Sequence, residues 1–438
     1  MKVMKFGGTS VGSPQRIKNV ASLITDKDRN LVVLSAMSGT TNSLLEIADY
    51  LYKQNLEGAS QCINKLEEKY KAHIEQLYDT DEYKQRTWLT IHAIFNTIRA
   101  CTKGAFSEKE EKIIVAQGEM MSTNMMTNYL LEKGHKVALI PALEYMRTNE
   151  DCEPDLKYIQ DHLKQQLALH PDAEIIITQG FICLNHAGEI DNLKRGGSDY
   201  TASLVGGAIE ASEIQIWTDI DGMHNNDPRF VENTTPVGHL HFDEAAELAY
   251  FGAKILHPTC ILPAKYANVP VKLLNTMDPT APGTIISNMI EHRKIKAVAA
   301  KDNIVAINIT SSRMLLAYGF LRKVFEIFEK YKTSIDMICT SEVGVSVSID
   351  DKTHLPAILN ELKKLGVVEV DDDMCIICVV GDLDWRNVGF ESVATQALKD
   401  IPVRMISYGG SNHNISFLVA ARDKQRALQS LSTYLFSD

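Results

Sequence analysis

No stretch of this 438-residue chain reaches the ~18 consecutive apolar residues that a membrane helix requires. Nothing at the N-terminus reads as a cleavable signal, because the first residues run directly into a strand pattern, so a cytoplasmic protein is expected. Cysteine is scarce and scattered, eight in all, which excludes a disulfide scaffold. Cys375-Ile-Ile-Cys378 has CxxC spacing, but no second pair follows it. Positions three apart in a strand face opposite sides, so both are read as buried, reduced core thiols. Positive charge is in deficit, with 45 Lys+Arg against 56 Asp+Glu and a net charge of −11. That argues against nucleic acid and anionic membrane as partners. There is no GxxxxGK[ST], so a P-loop is absent. If the ligands are anions, the cations that meet them must be gathered locally.

The composition that remains is that of an ordinary globular protein, 45% hydrophobic and 23% charged. The length suggests roughly three domains. The organising stretch is the first, Lys2-Val-Met-Lys-Phe-Gly-Gly-Thr-Ser-Val-Gly12. It reads as a strand ending at Lys5 and Phe6, a glycine turn, and a helix from about Pro14, a residue suited to a first helical turn. Ile17, Val20, Ala21 and Ile24 then fall on one helix face. Such a turn can aim backbone N–H groups at an anion, with Lys5 as a point charge able to follow a moving phosphoryl group. The same pattern also occurs as a plain β–α connection with a snorkelling lysine.

The motif recurs. Residues 30–37 form an apolar strand of the buried parallel type, followed by Ser38-Gly-Thr-Thr-Asn-Ser43. Ser43 and Glu46 have capping-box spacing. Thr40 and Thr41 are either helix caps or hydroxyls that receive a small acid. Residues 58–133 alternate at helical spacing and are expected as a helical lid or flank. Within them Gly118-Glu119 is expected to open a helix, and Glu119 gains a role only if the substrate carries an ammonium group. Strands at 136–140 and 174–182, with a helix near 156–169 between them, continue a β–α alternation. That alternation predicts a mainly parallel sheet covered on both faces. A third glycine turn, Asn192-Leu-Lys-Arg-Gly-Gly-Ser-Asp-Tyr-Thr201, precedes an apolar helix. Ser198 is its expected N-cap, with Asp199 at the positive helix end. The fork of Arg195 suits capture of a carboxylate or phosphate. The strand 213–218 ends in Asp219, at the carboxyl edge where open α/β sheets bind ligands.

From Ile304 onward the elements shorten into the order βαββαβ, a split-βαβ module ending near 370. The order then recurs. Ile335-Asp-Met-Ile338 and Val403-Arg-Met-Ile406 lie 68 residues apart, and Ser346-Val-Ser348 matches Asn414-Ile-Ser416 at the same offset. The second copy lacks a sixth strand, which the spare run 296–300 is expected to supply.

Taken in order, Lys5-Phe-Gly-Gly-Thr-Ser-Val11, Gly118-Glu119, Arg195-Gly-Gly-Ser-Asp199, Trp217-Thr-Asp219, Asp227-Pro-Arg229 and Phe251-Gly-Ala-Lys-Ile-Leu-His-Pro258 resemble the aspartokinase family almost end to end. The resemblance implies an α/β fold: a three-layer α/β/α amino-acid-kinase sandwich with a mainly parallel sheet over residues 1–293. A regulatory region at 294–438 then holds two α+β, ferredoxin-like ACT domains, the first at about 304–370 and the second at about 371–438 plus 296–300. The implied reaction phosphorylates L-aspartate to 4-phospho-L-aspartate, the entry to lysine, threonine and methionine. ATP is the co-substrate, and Mg²⁺ is held mostly by phosphates and water rather than by protein ligands.

Lys5 and Asp199 would be catalytic, with Asp199 orienting the lysine. Lys5, Phe6, Gly7, Gly8, Thr218, Asp219, His224, Arg229 and Lys254 match nucleotide positions, although relatives often have Tyr at the place of His224. Thr41, Glu119, Arg195 and Ser198 would hold aspartate, Arg195 on its α-carboxylate and Glu119 on its ammonium. The tail resembles the lysine-sensitive, monofunctional branch. There Met314, Ala317, Gly319, Phe320, Leu321, Ile335, Asp336, Ser341 and Glu342 would bind an amino-acid effector, expected to be L-lysine. Asp336 and Glu342 would take its cationic side chain, although Ala317 replaces a serine of that pattern. Such modules imply a homodimer or higher homo-oligomer, and no homoserine dehydrogenase segment is expected. Two rivals stay open: another amino-acid kinase acting on glutamate or acetylglutamate, and an amino-acid sensor whose kinase unit is dead.

Overall fold

The structure is a computed structural model that describes residues 1–25, 28–193, 196–252, 256–311 and 318–436. Its contacts divide the chain into two compact units, Met1–Gly222 with Leu256–Asn288, and Met223–Ile255 with Met289–Asp438. The stretch from Met223 to Ile255, counted from sequence with the first part of the chain, thus clusters with the tail.

The first unit begins with β1 (Lys2–Phe6), α1 (Pro14–Ile24), β2 (Asn30–Leu34), α2 (Thr40–Tyr52), α3 (Leu56–Leu77), α4 (Asp81–Ala100) and α5 (Glu108–Glu132). It continues with β3 (Val137–Leu139), α6 (Leu156–Ala168), β4 (Ile175–Gln179), the short pair β5 (Ile182–Leu184) and β6 (Ile190–Asn192), α7 (Gly197–Ala208) and β7 (Ile214–Thr218). The chain leaves through β8 (His239–His241) and α8 (Phe242–Tyr250), which belong to the second unit. It returns with α9 (Pro258–Ala267), β9 (Val271–Asn275) and β10 (Thr284–Ser287).

This unit's strands run in the order β3-β4-β2-β1-β7-β9-β10. All neighbours are parallel except β9 and β10. β2 and β4 are buried along their whole length, as apolar runs between two helical layers must be. α1 to α5 pack on one face around Met4, Phe6, Val32, Leu34, Leu66 and Tyr70. β1 lies between β2 and β7, so the order reverses beside it. The carboxyl end of such a strand is a topological switch point, where open sheets leave a crevice. Lys5 and the glycine turn stand there.

The second unit's tail comprises β11 (Ile295–Thr310), α10 (Phe320–Lys330), β12 (Met337–Thr340), β13 (Gly344–Ile349), α11 (Leu355–Leu362), β14 (Val367–Gly381), α12 (Phe390–Ala397), β15 (Val403–Tyr408), β16 (Asn414–Ala420) and α13 (Lys424–Phe436). The sheet order is β12-β13-β11-β14-β16-β15, antiparallel throughout. Sequence suggested breaks at 301–303 and 371–373, where polar residues cluster. Instead β11 and β14 run through both modules. Asn303 (φ 62°) and Asp373 (φ 55°) enter the left-handed region, which Asn and Asp tolerate, and the register shifts there without ending the strands. The first half of β11 pairs Ala297 with Val380 and Ala300 with Ile377, and Val298 joins the core of the second module. The first module closes its own core around Ile307, Val324, Phe328, Val347 and Ile358. Cys375 and Cys378 are buried free thiols on β14, as expected.

Candidate active site

At the end of β1 the Lys5 side chain is nearly enclosed, and its Nζ lies 2.7 Å from Asp199 Oδ1. Asp199 sits in the first turn of α7, where a carboxylate also favours the positive helix end. The glycine turn is stitched to both neighbours of β1. Gly7 N–H donates to the Trp217 carbonyl at 3.4 Å, and Ser38 N–H donates to the Gly8 carbonyl at 3.0 Å. Phe6 stacks on Trp217 with ring centroids 5.7 Å apart. Thr218 and Asp219 follow Trp217 at the carboxyl edge of β7, so they stand next to the glycine turn.

Beside this turn lies a cleft of about 430 Å³ lined by Gly8, Thr9, the loop Ser35–Gly39, Thr41, Asn42, Glu119, Phe181, Gly197 and Ser198. Two helices point their first turns into it. α2 is entered through Gly39 (φ 81°) and α7 through Gly196 (φ 73°), and neither has a side-chain cap. Thr40 N–H already donates to the Met37 carbonyl at 2.9 Å and Asp199 N–H to the Gly196 carbonyl at 3.0 Å, which leaves the N–H groups of Thr41 and Asn42 in α2 and of Gly197 and Ser198 in α7 for an anion. α1, which sequence put forward for this task, is capped by its own Ser13, whose Oγ accepts from Arg16 N–H at 3.3 Å. Ser198 is not the N-cap of α7. It lies inside the helix and its Oγ accepts from the Ser35 hydroxyl at 2.9 Å. Nor does Ser43 begin α2, which starts three residues earlier.

Glu119 does not open a helix but sits in the middle of α5. Gly118 makes this possible, because a Cβ there would come within 2.8 Å of Ala36 Cβ. The close approach brings Glu119 Oε1 to the Ala36 N–H at 3.1 Å. Glu119 is 4% exposed. Burial, only partly offset by the Ala36 hydrogen bond, pushes its carboxyl from an ordinary 4.5 up to about 7. Its Oε2 is buried with no hydrogen-bond partner. A buried carboxylate in that state is stabilised by an incoming cation.

The structure brings together Lys5, Gly7, Gly8, Thr41, Glu119, Ser198 and Asp199, with Thr218 and Asp219 along the same sheet edge. Arg195, Lys254, Met314 and Ala317 lie outside the described residues. His224 and Arg229 belong to the second unit. There His224 Nδ1 is 2.8 Å from the Thr234 hydroxyl, and the Arg229 guanidinium grips Asp227 through Nη2 at 2.6 Å.

Among the effector positions, Gly319 (φ 82°) is the uncapped N-cap of α10, Phe320 is core and Leu321 is partly exposed. Ile335 packs at the edge of that core, and Ser341 and Glu342 sit on an exposed turn. Asp336 departs from the expectation of two open acids. Its side chain is wholly buried, with Oδ1 2.6 Å from Lys301 Nζ and 2.7 Å from the Tyr250 hydroxyl. Its Oδ2 is buried with no hydrogen-bond partner.

Sequence reasoning passed over Ser35, Asn42 and Phe181 as pocket residues. No local pattern marks them, because they reach the cleft only through packing.

A parallel α/β unit with a lysine at its switch point and no P-loop, joined to tandem split-βαβ modules, defines an amino-acid kinase with a regulatory tail. The Amino acid kinase family description matches residues 1–275, and the ACT domain description matches residues 377–435. The lysine-sensitive aspartokinase 3 of Escherichia coli K12 is 33% identical over 447 residues, covering 99% of each chain. The chloroplastic aspartokinase 1 of Arabidopsis thaliana is 34% identical, over 99% of this chain and 80% of its own. The crystal structure of E. coli aspartokinase III with aspartate and ADP superposes with a TM-score of 0.83 at 32% identity over the whole of both chains. The structure of that enzyme with lysine and aspartate gives 0.82 at 34%. The chain belongs to the aspartokinase family.

Proposed function

We propose that this chain transfers the γ-phosphoryl group of ATP to the β-carboxylate of L-aspartate, making 4-phospho-L-aspartate at the start of lysine, threonine and methionine synthesis. The observation that carries the reading is the cleft itself. It sets a buried acid without a counter-ion, Glu119, and two uncapped helix ends beside the Lys5–Asp199 pair. A small acid with two carboxylates and one ammonium matches that inventory. Glu119 takes the ammonium, the first turns of α2 and α7 take the carboxylates, and the hydroxyls of Thr41 and Ser198 complete the contacts.

Both reactants are anionic, so catalysis consists mainly of positioning and charge neutralisation. Lys5 is the mobile charge that spans the transferring phosphoryl group, and Asp199 holds its ammonium in place. No general base is required, because a carboxylate nucleophile is already ionised at neutral pH. The glycines at 7 and 8 let the nucleotide phosphates come close to the backbone, where the Gly8 amide meets them, with Thr218 and Asp219 at the neighbouring strand end. Mg²⁺ would arrive on the triphosphate. Among the described residues of this unit no three side chains form a metal cage, which suits an ion held mainly by phosphate oxygens and water. The tandem modules would bind an amino-acid effector, with lysine first in line, and would pair two copies of the chain. The cysteines are free, in keeping with a cytoplasmic enzyme, and no described helix is long and apolar enough to cross a membrane.

The test is a substrate panel, in which acyl phosphate is trapped as its hydroxamate with aspartate, glutamate and N-acetylglutamate in turn. Aspartate-dependent product alone is expected. Product with glutamate but not aspartate would overturn the reading.

A further inference from the structure

The long helix α3 has no side chain in the cleft, yet two of its consecutive residues hold the turn that builds one wall of it. Lys69 Nζ donates to the Ser38 carbonyl at 3.2 Å. The Tyr70 hydroxyl is 2.9 Å from Thr40 Oγ1. Between these two anchor points lies Gly39, the left-handed residue through which the chain enters α2. A Cβ on Gly39 would be 3.9 Å from Lys69 Nζ, so the ammonium lies directly over the turn.

The two contacts differ in character. Tyr70 is wholly buried and rests edge-on against Phe95 at 6.0 Å, which makes it a rigid base. Lys69 is partly exposed and closes over Ser38 and Gly39, which are themselves exposed. An exposed turn about a glycine, with no side-chain cap at the helix it opens, lies at the low-stability end of a fold. Any drift of that turn would re-aim the first N–H groups of α2, and an anion there would lose their alignment. The charge on Lys69 also adds to the positive end of the helix.

We infer that Lys69 and Tyr70 are positioning residues that pin the Ser38–Thr40 turn and so set the enzyme's affinity for its acid substrate, without touching that substrate or the nucleotide. The inference rests on the reading of this cleft as the aspartate site.

Steady-state kinetics on the full chain, with thermal unfolding alongside, tests it. Lys69→Met is expected to raise KM for aspartate roughly five- to tenfold while KM for ATP stays within about twofold, because only the wall facing the acid loosens. Lys69→Arg should recover most of the loss, since it restores the charge and a donor. Tyr70→Phe should give a smaller rise in KM for aspartate, about two- to threefold, since one hydroxyl contact is lost. An unchanged KM for aspartate in Lys69→Met would overturn the inference. So would an equal rise in both KM values with a lowered Tm, the mark of a merely structural role. If the wild-type chain ignores aspartate but phosphorylates another acid, the substrate reading fails alone, and the same variants are then scored on that acid's KM.

Discussion

Two buried Lys–Asp pairs, one in each unit, have nearly the same geometry and opposite settings. Lys5 and Asp199 meet at 2.7 Å, and Lys301 and Asp336 at 2.6 Å. Around Lys5, among the described residues, stand the backbone of Gly7 and a single carboxylate, with the cleft beginning at the next glycine, Gly8. Around Lys301 the shell holds more partners. A second carboxylate, Asp350, lies 2.9 Å away, the Tyr250 ring is 4.4 Å from Nζ, and the Tyr250 hydroxyl shares Asp336. Those two carboxylates outweigh burial and hold the Lys301 ammonium above its ordinary range. The same two residue types thus form a singly paired charge in one place and a doubly paired lock in the other. What differs is how many partners the fold sets around the cation.

The largest effect should come from breaking the Lys5–Asp199 pair. Lys5→Ala is expected to lower kcat by roughly a thousandfold or more, since a charge aimed at the transferring group is lost. Single-turnover phosphoryl transfer measures this, and retention of more than a tenth of wild-type kcat would remove Lys5 from the mechanism. Breaking the Lys301–Asp336 pair should act on stability alone. Lys301→Met leaves a buried carboxylate unpaired and should cost about 3 kcal/mol, read as a lowered denaturation midpoint, with kcat close to wild type. Adding Asp336→Leu should return much of that loss, because an apolar pair can replace a buried ion pair. If the double variant is no more stable than the single, the lock description is wrong.

The smallest effect sharpens the contrast from the side of the third buried acid. Glu119 must ionise to hold an ammonium, and its carboxyl titrates at about 7. KM for aspartate should therefore fall about tenfold from pH 6 to pH 8, following the ionised fraction. Glu119→Gln should raise KM and flatten that profile. The sign for stability is opposite. The folded chain keeps a proton that the unfolded chain has released, so stability from this group falls as pH rises from 4.5 to about 7. Glu119→Gln should then unfold a few degrees higher than wild type at pH 8. A KM profile with no dependence on Glu119 would show that the ammonium sits elsewhere.

Much of this was legible in the chain itself. The apolar runs of β1, β2, β4 and β7 announce a parallel sheet, the glycine turns mark the strand ends that meet ligands, and the 68-residue repeat exposes the tandem modules. Other features were hidden for identifiable reasons. Glu119 looked like the start of a helix because a Gly–Glu pair commonly is one, whereas Gly118 serves the approach of α5 to the loop after β2. Ser198 had the right chemistry for a cap, but Gly196 already supplies the turn. Asp336 read as an acid open to an effector's cation because its partners, Lys301 and Tyr250, are 35 and 86 residues away.

The sequence alone determined most of the strands and helices, the glycine turns between them, and that its tail is doubled, because those properties follow from periodicity and from residues such as glycine that act locally. Only the tertiary structure decided which charges are free to act. Whether a lysine faces a ligand or an aspartate, and whether a glutamate lies bare or hydrated, depends on neighbours brought from far along the chain and on the water that packing removes.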